Sequence, residues 1–155
     1  MMLVLQLAVL LIMHYSMAQR VIAVDVGTDQ LHYTLLGDPR IELHEKTDIR
    51  EFATTEELHI VVIDVSFISL REILPSVSKL CGPNTQIVAM VKPQFEAANS
   101  LKFKGVIKND TLRRGVLKGF EDWAKKRFTV VAKADSEVSG KKGNTERFYL
   151  LKKAL

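Results

Sequence analysis

The sequence contains one cysteine, Cys81, among its 155 residues. A lone cysteine excludes an internal disulfide and the usual clustered zinc site, so we expect no metal centre and a reducing, cytoplasmic setting. Low-complexity tracts and internal repeats are also missing, which excludes a disordered tail and a repeat array. Because 47% of the residues are apolar, the chain can bury the core of one globular domain.

Apolar runs long enough to cross a membrane are absent as well. Residues 1–13, MMLVLQLAVLLIM, are nearly all apolar, but a membrane-spanning helix needs about 20 such residues. A secretory signal would begin with basic residues, and none precede this run. We therefore expect no stable membrane association, and the length of the run favours a buried helix rather than a strand over residues 2–15.

Acidic residues are outnumbered by basic ones. The chain has 22 Lys and Arg against 18 Asp and Glu, a net charge of +4, which suits an anionic partner such as RNA. Ordinary solvated surface charge explains each basic residue equally well. The candidate phosphate contacts are Lys125, Lys126, Arg127, Lys141 and Lys142.

From Gln19 onward, short apolar runs alternate with stretches of helical periodicity, a pattern typical of an α/β fold. The predicted strands cover residues 21–26, 41–44, 60–64, 85–91, 128–133 and 146–151, and the predicted helices cover 29–36, 69–79 and 111–127. The last helix has an apolar face that we expect to lie in the core, formed by Leu112, Val116, Phe120, Trp123 and Ala124. The first four strands are nearly continuous apolar segments, as expected for parallel strands buried on both faces. We expect the last strand to be antiparallel, because its apolar pattern differs, and we interpret residues 97–108 as a loop.

Three polar residues follow directly on predicted strands, at the sheet edge where open α/β folds bind ligands. Asp25 follows VIAV and could accept hydrogen bonds from a ribose diol, although an acid before a glycine can also simply begin a turn. Asp64 and Lys92 end what would be neighbouring strands. They could meet in one cleft as catalytic groups or form a salt bridge at the rim of the sheet.

The sequence words at these strand ends carry a specific resemblance. VVIDVSFISL, VKPQFEA and KGNTERF occur in this order, after VIAVDVGTDQLHYTLLGDPRI. Over residues 19–151 they resemble the TlyA (hemolysin A) family of FtsJ-like RNA ribose 2′-O-methyltransferases. The resemblance implies a Rossmann-like, S-adenosylmethionine-dependent methyltransferase domain with a mostly parallel sheet, an antiparallel last strand, and ribosomal RNA or a ribosomal subunit as its partner.

The resemblance also implies a site. FtsJ-like enzymes use a Lys-Asp-Lys-Glu set, and Asp64, Lys92 and Glu146 match its last three members; the first lysine would lie upstream. The implied cofactor residues are Asp25, Val26, Gly27 and Asp48, the last in the region that contacts the adenine. Two features depart from the family pattern: the loop after Glu96 is not glycine-rich, and Arg147 replaces an aromatic residue.

The N-terminal segment differs most from the family pattern. The family's first motif resembles the glycine-rich DVGASTGGFTD, whereas no glycine precedes Gly27 in this sequence. DNA that encodes DVGASTGGFTDYAL in one reading frame can encode MLVLQLAVLLIMHY, residues 2–15, in the next. We therefore interpret residues 1–18 as a frameshifted segment and residues 19–155 as the methyltransferase domain, without the family's S4 RNA-binding domain. Two alternatives remain: a catalytically impaired remnant with residual RNA binding, and a membrane-active hemolysin.

Overall fold

The computed structural model describes residues 1–5, 19–97, 106–107, 109–138 and 143–154. These residues form one seven-stranded sheet with helices packed against it. Its strands in chain order are β1 (Met2–Leu5), β2 (Val21–Val24), β3 (Ile41–His44), β4 (Ile60–Ile63), β5 (Gln86–Val91), β6 (Phe128–Asp135) and β7 (Arg147–Lys153).

The spatial order of the strands is β3-β2-β1-β4-β5-β7-β6. Strands β1 to β5 pair in parallel, and β7 pairs antiparallel with both β5 and β6. The predicted antiparallel last strand is therefore confirmed. Strands β2, β4 and β5 are mostly buried beyond the exposed first residues of β4 and β5, which explains why their sequences are continuous apolar runs rather than alternating ones. The expected burial is wrong for β3, an outer strand with no fully buried residue.

Strand β1 occupies the centre of the sheet. It lies between β2 and β4, with Met2 in register with Val21 on one side and Ile60 on the other. The prediction of a helix is wrong for residues 2–5, because the inner edges of both neighbours carry backbone groups that must be hydrogen-bonded when buried. The rest of that predicted helix, residues 6–15, lies outside the described residues.

The described helices are α1 (Leu70–Leu80), α2 (Pro93–Glu96), α3 (Asp110–Ala124) and a single 3-10 turn at Tyr33–Leu35. Helix α1 confirms the helix predicted at 69–79, and its apolar face enters the core. Helix α3 buries Leu117 and Phe120, whereas Leu112, predicted to face the core, is exposed. The short helix α2 was not predicted.

The helix predicted over residues 29–36 is wrong apart from the 3-10 turn. Asp29 has a φ of 56°, a left-handed conformation that a right-handed helix cannot contain. Its backbone N–H instead donates to Glu45 Oε1 at 2.7 Å. Within the described residues, no helix is long and apolar enough to span a bilayer.

Candidate active site

The sheet topology brings the ends of four strands to one edge. Asp25 follows β2, Asp64 follows β4, Lys92 follows β5, and Glu146 immediately precedes the antiparallel β7. The register pairs the last residue of β5 with the first residue of β7. Residues that are far apart in the sequence therefore meet at one edge, where α/β folds bind ligands.

Lys92 is held by two acceptors at this edge. Its Nζ lies 2.6 Å from Asp64 Oδ1 and donates to Ser66 Oγ at 2.9 Å. The side chains are mostly buried, with 12% of Lys92 and 24% of Asp64 exposed. The predicted meeting of Asp64 and Lys92 in one cleft is what the structure contains, and Ser66 joins them.

Glu146 belongs to the same electrostatic group. Its partial burial raises the pKa of its carboxyl, Lys92 opposes this effect, Asp64 adds to it, and a hydrogen bond with Gln94 lowers the pKa again. Desolvation is the largest of these effects, so the pKa of Glu146 lies above its ordinary value. The site thus combines one amine with two carboxyls of different environment.

The motifs DVSFIS and VKPQFE contact each other beside Asp64 and Lys92. The loop from Asp64 to Ser69 lies against helix α2, where the ring of Phe67 packs on Phe95 at a centroid distance of 5.1 Å. Glu96 anchors the far end of the loop: its Oε2 accepts from Ser69 Oγ at 2.7 Å. Its Oε1 accepts from the first backbone N–H of helix α1 at 2.6 Å.

Glu96 is buried, and this burial raises the pKa of its carboxyl. It stabilises the start of α1 by satisfying a backbone donor that has no partner inside the helix. Sequence reasoning assigned no role to Ser66, Gln94 or Glu96. The available signal was their position inside the motifs DVSFIS and VKPQFE, but the contacts connect residues at least 26 positions apart, which local patterns do not show.

A cavity of about 360 Å³ opens beside Asp64 and Ser66, between the loops that follow β2, β3 and β4. Its polar lining comes from Asp25, Thr47, Asp48, Arg50 and Ser66. The predicted cofactor residues Asp25 and Asp48 therefore face one space, and Ser66 connects this space to Lys92.

Asp25 is only 8% exposed. Its Oδ1 accepts a hydrogen bond from the Gly27 N–H at 2.7 Å, while its buried Oδ2 has no hydrogen-bond partner among the described residues. A Cβ at Gly27 would lie 3.2 Å from Oδ1 and 3.3 Å from Gln30 Cγ, so glycine allows this tight turn. Val26 lines the cavity and is 71% exposed.

The family resemblance implied that Asp48 ends the third strand. In the structure Asp48 lies beyond the end of that strand. Strand β3 stops at His44, and Asp48 lies in the loop that follows. Its carboxylate pairs with Arg50 at 2.6 Å, and hydrogen bonds from the Arg50 side chain hold its pKa below the ordinary value. The loop still brings Asp48 to the cavity wall.

The candidate phosphate contacts lie elsewhere. Lys125, Lys126 and Arg127 directly precede β6, whose first residue pairs with the last residue of β7. These three residues therefore lie at the edge of the sheet opposite Asp64, Lys92 and Glu146. Lys125 pairs with Glu121, and Arg127 stacks on Trp123 at 4.9 Å; Trp123 packs against the core, as predicted. Lys141 and Lys142 lie outside the described residues.

Arg147, which replaces a family aromatic residue, binds Asp135 at the catalytic edge. Its Nε lies 2.6 Å from Asp135 Oδ1, and Arg113 contacts the same oxygen at 2.7 Å. The hydrogen bonds from Arg147 are the largest influence and lower the pKa of Asp135 to about 2.

The model of the FtsJ-like methyltransferase family matches residues 6–153. The chain belongs to the FtsJ-like methyltransferase family. A relative from Campylobacter jejuni, named 23S rRNA (cytidine-2′-O)-methyltransferase TlyA, is 37% identical over 140 residues, which are 86% of this chain and 53% of the relative. This likeness confirms the resemblance to the TlyA type. The chain spans about half the length of the curated relatives it matches.

Solved structures of this family's fold agree with the sheet described above. A structure from Streptococcus thermophilus that carries the hemolysin name has a TM-score of 0.85 and 33% identity, covering 98% of this chain and 59% of that one. The N-methyltransferase NodS of Bradyrhizobium japonicum in complex with S-adenosyl-L-homocysteine has a TM-score of 0.67 at 13% identity, covering 97% and 76%. The FtsJ-like chain therefore has the Rossmann-like methyltransferase fold.

Proposed function

We propose that this chain transfers a methyl group from S-adenosylmethionine to a ribose 2′-hydroxyl of ribosomal RNA. The observation that carries the proposal is the meeting of Lys92 with Asp64 at 2.6 Å beside a cavity walled by Asp25 and Asp48. The charges of Lys92 and Asp64 both influence the pKa of the Glu146 carboxyl. The Campylobacter jejuni relative is named for 2′-O-methylation of a cytidine in 23S rRNA, which supports the choice of substrate.

The cavity suits the adenosine end of the cofactor. The unpartnered Oδ2 of Asp25 is a buried acceptor that two ribose hydroxyls can satisfy. Gly27 keeps the turn beside it narrow, and the loop from Asp48 to Arg50 supplies the opposite wall. When bound here, S-adenosylmethionine would supply a sulfonium-activated methyl group. We assign Asp25, Val26, Gly27 and Asp48 to cofactor binding on these grounds.

Lys92 is the group that we assign to proton removal. In its neutral form, the amine takes the proton of the ribose 2′-hydroxyl as that oxygen becomes the nucleophile. Asp64 forms an ion pair with Lys92 at 2.6 Å and orients it. Because a neighbouring carboxylate favours the ammonium form, we assign Asp64 and Glu146 chiefly to positioning, with Glu146 also able to contact the ribose hydroxyl.

The surface at the cleft suits an RNA partner. Phe67 borders the cavity, is 91% exposed, and presents a ring against which an unstacked base can pack. Lys125, Lys126 and Arg127 lie at the opposite edge, so any phosphates they bind belong to a part of the RNA distant from the target nucleotide. A cytoplasmic location is part of the proposal, in keeping with the lone cysteine.

A second candidate function is an impaired remnant that keeps the fold and some RNA affinity. The observation that favours it is the absence of glycine before Gly27, since glycines let backbone N–H groups approach a cofactor closely. The two candidates differ in cofactor affinity and turnover rather than in fold. The hemolysin alternative rests only on the apolar residues 1–13, and we do not propose it.

The test is transfer of a tritiated methyl group to ribosomal RNA, with calorimetric titration of S-adenosylmethionine. We expect label in 2′-O-methylated nucleotides after nuclease digestion and none with Lys92→Met. Lys118→Met is the matched control, because this lysine is exposed and pairs with Asp122 on the surface of α3. Label found on a base instead of a ribose, or equal labelling by Lys92→Met, would refute the proposed reaction. Cofactor binding without labelling would favour the remnant.

A further inference from the structure

Ser66 connects the candidate base to the cofactor cavity, although it is not a member of the Lys-Asp-Lys-Glu set. Its Oγ accepts a hydrogen bond from Lys92 Nζ at 2.9 Å. The same residue lines the cavity with Asp25 and Asp48. Ser66 lies two residues after Asp64, so one short loop supplies both acceptors of the lysine.

Two neighbouring oxygens restrict the orientation of the Lys92 amine more than one oxygen would. The lysine nitrogen is tetrahedral, with one bond to Cε and three further positions that rotate about the Cε–Nζ bond. A single acceptor leaves the amine able to pivot about one hydrogen bond. The ion pair with Asp64 at 2.6 Å and the hydrogen bond to Ser66 at 2.9 Å hold the nitrogen from two sides, which restricts the direction of its remaining position.

The loop that carries Ser66 is held rigidly. The next residue, Phe67, has a φ of 66°, a left-handed conformation that is unfavourable for a bulky side chain and persists only where the surroundings enforce it. The contact with Phe95 and the hydrogen bond from Ser69 to Glu96 supply that enforcement. The position of the Ser66 hydroxyl is thus set by packing on both sides.

We propose that Ser66 is a positioning residue that, together with Asp64, orients the Lys92 amine so that its third position meets the substrate hydroxyl. The proposal rests on the proposed function, in which Lys92 is the proton acceptor. In that step the ribose O–H bond breaks, an N–H bond forms on Lys92, and the oxygen keeps the electron pair with which it attacks the methyl carbon. The Ser66 hydroxyl exchanges no proton and only accepts a hydrogen bond.

The first arm of the test does not depend on activity. In the full chain labelled with nitrogen-15, the side-chain ammonium signal of Lys92, assigned by its loss in Lys92→Arg, reports how well this group is held against exchange with water. We expect the signal to broaden or vanish in Ser66→Ala and to return in Ser66→Thr, which keeps the hydroxyl. Thr55→Ala is the matched control: it removes an exposed hydroxyl that lies in the loop before β4 and is not a partner of Lys92, and it should leave the signal in place.

The second arm measures single-turnover methylation of ribosomal RNA together with calorimetric cofactor affinity. A misplaced reacting group costs up to about a hundredfold in rate, so we expect Ser66→Ala to slow methylation by about 10- to 100-fold with the cofactor Kd unchanged. Ser66→Thr should recover most of the rate, and circular dichroism confirms that each variant is folded.

Each outcome decides the proposal. An unchanged Lys92 signal in Ser66→Ala would overturn it, as would an unchanged rate, or a lower rate explained entirely by weaker cofactor binding. If the unmodified chain transfers no methyl group at all, the proposed function fails separately. The ammonium signal then still decides whether Ser66 orients Lys92.

Discussion

The amino group of Lys92 lies 2.6 Å from Oδ1 of Asp64, although the two residues follow different strands. They meet because β4 and β5 are parallel neighbours that end at the same sheet edge. Both side chains lose much of their hydration there, which costs free energy that close pairing must offset. Because desolvation makes such a pair a weak source of stability, its position is better explained by the need to hold a reactive amine in place.

The first prediction concerns the coupling between Lys92 and Asp64. In a double-mutant cycle with Lys92→Met and Asp64→Asn, we expect a coupling of about 0.5–3 kcal/mol in the free energy of unfolding, measured with urea. The exposed helical pair of Lys118 and Asp122 is the matched control and should give about 0.3–0.5 kcal/mol. Strictly additive losses at Lys92 and Asp64 would contradict a formed ion pair.

A second prediction concerns Asp25. Asp25→Asn should weaken S-adenosylmethionine binding, because a hydrogen bond to a charged acceptor contributes about 1.5–3 kcal/mol, or about one to two decades in Kd. Calorimetric titration measures this change. Asp38→Asn is the control, since this acid is outside the cavity lining and pairs with Arg40. Equal affinity of the Asp25 variant and the unmodified chain would remove Asp25 from the cofactor site.

The front segment supplies a third prediction. A variant in which residues 2–18 are replaced by the family-like DVGASTGGFTD segment and its helix should bind S-adenosylmethionine more tightly than the chain as written. Two restored backbone hydrogen bonds, at about 1.5–3 kcal/mol each, correspond to about two to four decades in Kd. Calorimetry on both folded chains measures the difference. If their affinities are the same, the frameshift interpretation does not explain cofactor binding, and sequencing the DNA upstream of Met1 tests the frameshift itself.

Glu146 gives a prediction about stability and pH. Burial raises the pKa of this carboxyl, so the folded state favours its neutral form. This contribution to stability is present below the ordinary glutamate pKa and is lost as the pH rises through the raised value. Glu146→Gln should therefore unfold at higher urea than the unmodified chain at pH 8, with no such advantage at pH 4, while methylation falls. Lower stability of the variant at pH 8 would contradict this assignment.

Asp135 should behave in the opposite way. Hydrogen bonds from Arg147 and Arg113 hold its pKa at about 2, below the ordinary value of about 3.9. Its stabilisation is therefore present above about pH 4 and is lost as the pH falls towards about 2. Because 41% of the side chain is exposed, we expect Asp135→Asn to cost less than about 1 kcal/mol at pH 7, and less still in high salt. A cost that persists unchanged in 1 M salt would show that packing, not charge, is involved.

Strands β2, β4 and β5 were predictable from the sequence because strands buried on both faces are continuous apolar runs. Strands β3, β6 and β7 were also predicted from their apolar residues, although they are more exposed. The runs that became β2, β3, β4, β5, β6 and β7 were all predicted to within a few residues. The polar residues that end them marked the site for the same reason, since a charge directly after a buried strand lies at the sheet edge. Amphipathic periodicity likewise predicted α1 and α3. The words DVSFIS and VKPQFE carried the family resemblance on their own.

What the sequence by itself determined is therefore the order of the strands β2 to β7 with the helices α1 and α3, the family, and the residues that end each strand. Only the tertiary structure decided that Met2–Leu5 is the central strand, because its partners β2 and β4 are distant in sequence. It also decided that Ser66 and Asp64 share Lys92, that Glu96 anchors the loop between them and α1, and that Lys125 to Arg127 lie at the far edge. These outcomes depend on hydrogen bonds and packing between segments far apart in the chain, and local periodicity contains no information about which distant groups will meet.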